Sequence, residues 1–188
     1  MKRFEISKLE HASFDENNPA SSVQKRLYML YCMNPERLDY NITFSLKMEG
    51  DLNLERLQKT LNRCLTCNPM LTARFNQIDG MLFYKIRLEL KLEIEKVHYE
   101  VSDYDSFESL RKNEMNAFIK PFKLSTNELL MRARLINYTD EKYLLLLDFH
   151  HIIFDRASLS VFLHDLKRFY NQPDCHIEKK YNYEDFVN

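Results

Sequence analysis

The chain has 188 residues, enough for one ordinary domain or half of a larger one. Apolar residues make up 45% and aromatics 13%, sufficient for a core, and a net charge of −1 leaves no electrostatic case for binding nucleic acid or an acidic membrane. No apolar run approaches the roughly 20 residues of a membrane span. The start, Met1-Lys2-Arg3-Phe4, lacks the apolar stretch of a secretion signal, so a soluble, cytoplasmic protein is expected. With two glycines, Gly50 and Gly80, the chain can hold neither a P-loop nor a glycine-rich dinucleotide fingerprint.

Residues 1–18 read as a polar lead-in. Pro19-Ala20-Ser21 reads as a helix start, and Val23, Leu27, Leu30 and Tyr31 fall at helical spacing until Pro35. Tyr40 to Met48 alternates as a strand does. Asn53 caps a helix striped by Leu54, Leu57, Leu61 and Leu65, which Asn68-Pro69 ends. Cys64 and Cys67 form a CxxC at the C-terminal end of that helix, where the dipole raises a thiol pKa, so reduced, half-buried thiols are expected there. Leu71 to Phe75 and Met81 to Arg87 predict a hairpin around Asp79-Gly80. A strand is expected within Leu90 to Val101 and a helix over Phe107 to Ile119. Strands follow at Leu129 to Tyr138 and Lys142 to Phe149, then a helix at Ser158 to Tyr170. The mix predicts an α/β (α+β) fold with a mostly antiparallel sheet flanked by helices.

The most informative stretch follows the most apolar run, Tyr143-Leu144-Leu145-Leu146-Leu147, which predicts a strand buried on both faces. Asp148-Phe149-His150-His151 then brings two histidines to its end, and Asp155 sits four residues after the second. Histidine gives or takes a proton near neutral pH, and a carboxylate can orient it or hold its loop. Asp148 and His150 share a strand face while His151 points away, so no metal site is expected from them. His11, His98, His164 and His176 stand isolated and carry no assigned role.

Several of these stretches together resemble the condensation domains of nonribosomal peptide synthetases, which have the chloramphenicol acetyltransferase-like fold. His150-His151-Ile152-Ile153-Phe154-Asp155 is similar to the family's HHxxxDG loop, with Arg156 in place of the glycine. Ser21-Ser22-Val23-Gln24-Lys25-Arg26-Leu27-Tyr28 is similar to its opening SxAQxR motif, and Tyr183-Glu184-Asp185-Phe186 to its YxDF motif. The segment from Cys67 to Phe75 aligns with RHExLRTxF, with Cys67 and Thr72 where the arginines usually stand.

The resemblance covers residues 1–188 as the N-terminal lobe, with nothing matching the second lobe, so half of the family's catalytic tunnel is expected to be absent. It implies a condensation-type acyltransferase site with His151, His150 and Asp155 as its catalytic-motif residues. His151 would accept or orient the acceptor amine's proton at an open groove. His150 would pack or hydrogen-bond beneath the loop. Asp155 would ion-pair with an arginine, Arg74 or Arg63 foremost and Arg156 besides. It further implies no bound cofactor and no metal, with substrates carried on the phosphopantetheine arms of peptidyl or acyl carrier proteins, which are the expected partners together with a second lobe. An isolated lobe should be inactive. Two other readings remain open: a non-catalytic docking module for carrier proteins, and a CoA-dependent acetyltransferase working as a homotrimer.

Overall fold

The computed structural model describes residues 17–99 and 106–175. The YxDF-like motif, His11, His176 and most of the lead-in lie outside the described residues. The elements in chain order are β1 (Asn18–Pro19), α1 (Ser22–Met33), β2 (Asn41–Glu49) and α2 (Leu54–Cys67). A 3-10 turn over Pro69–Thr72 leads to β3 (Ala73–Ile78) and β4 (Met81–Ile86). Then come β5 (Ile94–His98), α3 (Phe107–Phe118), β6 (Met131–Thr139), β7 (Lys142–His150) and α4 (Arg156–Asn171).

The apolar run becomes β7, in the interior of a four-stranded sheet of order β2-β7-β6-β5. Period-2 alternation divides its side chains between two cores. Leu145, Leu147 and Phe149 join the cluster that holds Leu57, Leu61 and Leu65 of α2 and Phe162 of α4. Leu144 and Leu146 pack with Ile136 of β6 and with Leu110 and Phe118 of α3. The strand is therefore buried on both faces, as its composition predicts. Each such side chain contributes about 1.5–3 kcal/mol on leaving water.

Sheet pairing is antiparallel except between β5 and β6, which run parallel. A parallel pair needs a crossover, and α3 supplies it on the Leu144–Leu146 face. β3 and β4 form a separate sheet with the short β1. Asp79 (φ 49°) and Gly80 (φ 79°) carry the tight turn between them, the left-handed pair that a two-residue hairpin loop requires. The helix starts follow their caps: Ser21 and Gln24 make a reciprocal capping box, and Asn53 Oδ1 accepts from the Arg56 amide at 2.8 Å. Leu57, Leu61 and Leu65 are buried as the stripe predicts, while Leu54 in the first turn is exposed. Burial raises the thiols at the end of α2, Cys67 to about 11, which leaves both protonated near neutral pH.

Candidate active site at the end of β7

The two motif histidines stand next to each other in sequence but in opposite environments. His150, the last residue of β7, is 4% exposed. Its Nδ1 accepts the Ile152 amide at 3.0 Å, which fixes the neutral tautomer with the proton on Nε2. Its ring lies near those of Tyr40 and Phe122, and its amide donates to the Leu130 carbonyl at 2.9 Å. Burial, and next the charge of His151, push its pKa down to about 4. His151 begins the turn after the strand. Its side chain is exposed, and its amide donates to the Tyr40 carbonyl at 2.8 Å. The strand end thus places one histidine underneath the loop and presents the other to solvent.

The folded-state pKa of His150 lies below that of an unfolded histidine. The stability this confers is present above about pH 6.5 and is lost as pH falls toward 4, by roughly 3 kcal/mol in full. His150→Asn keeps an acceptor for Ile152 and does not titrate. The stability difference between the native chain and this variant should shrink between pH 6.5 and 4 in urea titrations, whereas parallel profiles would remove the role.

Asp155 departs from the expected ion pair. It is the N-cap of α4: its Oδ1 accepts from the Ser158 amide at 2.8 Å and from the Ser158 hydroxyl at 2.7 Å. These bonds hold its pKa below the usual carboxylate value, with a smaller contribution from the nearby His151. The arginines named as partners are engaged elsewhere. Arg74 donates to the Ser125 carbonyl at 2.8 Å and to Asn127, and Arg63 donates to the Pro173 and Cys175 carbonyls across the Phe169 ring. Arg156 is exposed at the first position of α4. The helix begins two residues before the expected Ser158 because a capping aspartate satisfies its first free amides. Asp155→Ala should therefore cost about 1 kcal/mol, far less than loss of a buried ion pair, and Asp155→Ser should restore most of it in chemical denaturation.

On the strand that carries the histidines, Asp148 does meet an arginine. It is 0% exposed, and Arg132, its cross-strand neighbour on β6, approaches its Oδ2 at 3.4 Å. Asn41 Nδ2 donates to both carboxylate oxygens, at 3.0 and 2.9 Å, and to the Lys120 carbonyl at 3.0 Å. Arg132 also donates to the Pro121 carbonyl at 2.8 Å and lies 3.8 Å from the Phe122 ring centroid. Burial lifts Asp148 to about 7 and lowers Arg132, so desolvation outweighs the pairing for both groups. This cluster shares the His150 face of β7 and ties the segment after α3 to the sheet. Sequence reasoning passed over it as a support. The available signal was a single carboxylate interrupting an apolar strand, with an arginine in the strand before it.

Gln24, in the opening motif, is a second support of the histidine loop. It is 1% exposed, and its Nε2 donates to the Ile152 carbonyl at 3.3 Å, which joins the opening motif on α1 to the histidine loop.

A model of the condensation domain matches residues 15–188. Bacitracin synthase 3 of Bacillus licheniformis is 32% identical over 170 residues, spanning 90% of this chain and 2% of that protein. Surfactin synthase subunit 2 of Bacillus subtilis (strain 168) is 26% identical over 179 residues, spanning 95% of this chain and 5% of that one. Among solved structures, the starter condensation domain of rhizomide synthetase RzmA superposes with a TM-score of 0.77 at 15% identity, covering 92% of this chain and 43% of that one. The first condensation domain of the calcium-dependent antibiotic synthetase, in complex with a substrate analogue, gives 0.73 at 18% identity, covering 87% and 40%. The likeness in structure shows the chloramphenicol acetyltransferase-like fold, and the chain spans about two-fifths of those solved domains. From the family match over residues 15–188, the chain belongs to the condensation-domain family.

Proposed function

We propose that the chain supplies the histidine wall of an amide-forming condensation site, acting on an acyl or peptidyl thioester donor and an acceptor amine carried on the phosphopantetheine arms of carrier proteins. The observation that carries this reading is the pairing of an exposed His151 with a buried His150 whose Nδ1 is already taken by Ile152. The amine nitrogen attacks the thioester carbonyl carbon, the C–N bond forms, the C–S bond breaks and the arm leaves as a thiolate that takes up a proton. The amine must give up a proton in this step, and the solvent-facing imidazole of His151 is the group placed to accept or orient it. His150 is a poor candidate for that proton because its free nitrogen is spent within the loop. Asp155 is likewise occupied by Ser158, so its part is to hold the start of α4 behind the loop.

Residues 1–188 correspond to one lobe of the domain in this reading, and alone they do not turn over. Alignment of two tethered reactants is worth about 7–11 kcal/mol of barrier, and one wall cannot provide it. The test is amide formation by a hybrid condensation domain in which residues 17–175 replace the matching stretch of bacitracin synthase 3, compared with and without the His151 imidazole. Carrier-protein binding that persists without any rate would favour a docking module instead.

A further inference from the structure

The three peptide units around His151 are each held by a named bond. The His151 amide is bonded to the Tyr40 carbonyl at 2.8 Å, and the His150 carbonyl accepts the Ile153 amide at 3.1 Å. The Ile152 amide is bonded to His150 Nδ1 at 3.0 Å. The Ile152 carbonyl, on the next peptide, is bonded to Gln24 Nε2 at 3.3 Å, a contact between residues 128 apart in the chain. Rotation about the His151 backbone is thus limited on both sides: on the outgoing side the His150 ring holds the first peptide and Gln24, from a separate helix, holds the second. Gln24 is itself fixed. Its Oε1 accepts the Ser21 amide at 2.9 Å, its own amide donates to Ser21 Oγ at 3.2 Å, and Nε2 also meets Met70 Sδ at 3.7 Å. A residue that only capped α1 would have no need of a buried amide nitrogen pointed away from the helix into the loop.

We infer that Gln24 is a positioning residue: through the Ile152 carbonyl it sets the orientation of the His151 side chain for the condensation reaction, an inference that rests on the function proposed above. Gln24 touches no reacting atom. It acts by removing freedom from the loop that carries His151, and small displacements of a reacting group have large effects on rate.

The test uses the chain of residues 1–188 with labelled histidines, in Gln24→Met, which fills the same space without a donor, and in Ser21→Ala, which loses the helix cap but keeps the Gln24 side chain. Gln24→Met should speed amide exchange at Ile152 and Ile153 about 5- to 10-fold, the loss expected for one hydrogen bond. It should also broaden or split the imidazole signals of His151. Ser21→Ala should leave those signals in place although its melting temperature falls. Unchanged His151 signals in Gln24→Met, or the same change in Ser21→Ala, would overturn the inference. If Gln24→Met does not fold, Gln24→Glu retains the acceptor for Ser21 and lacks the donor for Ile152, and the same readouts apply. In the hybrid domain, Gln24→Met should lower kcat about 10-fold or more at unchanged KM. These spectra require no substrate, so an inactive hybrid with altered His151 signals refutes the proposed function and leaves the positioning role standing. An active hybrid with unaltered signals does the reverse.

Discussion

Arg132→Met should destabilise the protein by about 3–5 kcal/mol above neutral pH, lowering the melting temperature on the order of 10 °C. Asp148 has no exposed surface, and Arg132 is the cation set against it. Removing the guanidinium leaves the carboxylate with neutral donors, Asn41 and the Phe149 amide, and also removes the bond to the Pro121 carbonyl and the contact with the Phe122 ring. The cost depends on pH in a definite direction. Asp148 already has a folded pKa of about 7, above its unfolded value, so its ionisation withdraws stability as pH rises toward 7. Without Arg132 that pKa climbs further, and the withdrawal continues beyond pH 7. The variant should therefore lie closest to the native chain in acid and fall away from it in base. Pairing the change with Asp148→Leu should recover most of the loss, because a buried ion pair exchanged whole for apolar groups is often neutral or better. Urea midpoints at pH 5.5 and 8.5 for the single and double variants check all three statements. Equal losses at both pH values, or a double variant worse than the single, would mean that Asp148 is not ionised against Arg132.

Much of the fold could be read from local chemistry. The helix stripe at Leu57, Leu61 and Leu65, the Asn53 cap and the Asp79-Gly80 turn each depend on neighbours in sequence, and the structure has them. The apolar run of β7 declared its burial on both faces for the same reason. What was not legible depends on which strand lies beside which. No periodicity in Ile94–His98 states that it pairs parallel to β6, and two residues at Asn18–Pro19 are too few to announce a strand. Register also hid Arg132 opposite Asp148.

Both histidines fall where the sequence puts them, at the end of the apolar strand and in the turn after it, whereas the contacts of Asp155 differ from the expected ion pair. The resemblance implied that Asp155 pairs with an arginine to hold the loop. The same aspartate three residues before Ser158 also had the spacing of a helix cap, and the local bond is the one that forms. The tie from Gln24 to Ile152 spans most of the chain, and no pattern within α1 reveals it.

The largest expected effect on function belongs to His151. Replacing a general base or a proton-orienting group typically costs about 10²–10⁴-fold in rate. The imidazole is exposed, and the bond to the Tyr40 carbonyl is donated by the main-chain amide, which alanine keeps, so His151→Ala should leave the fold intact. His150→Asn disturbs the loop from below and should lose stability along with rate, whereas His151→Ala should lose rate alone. The separation between the two variants distinguishes a catalytic group from a structural neighbour with the same side chain.

The decisive measurement is single-turnover amide formation by the hybrid domain, with donor and acceptor loaded on carrier proteins and the melting temperature recorded alongside. His151→Ala should lose about 10²–10⁴-fold in the amide-forming rate with an unchanged melt and unchanged carrier binding. A His151→Ala domain that forms amide as fast as its parent would contradict the assignment of this chain as the histidine wall of a condensation site.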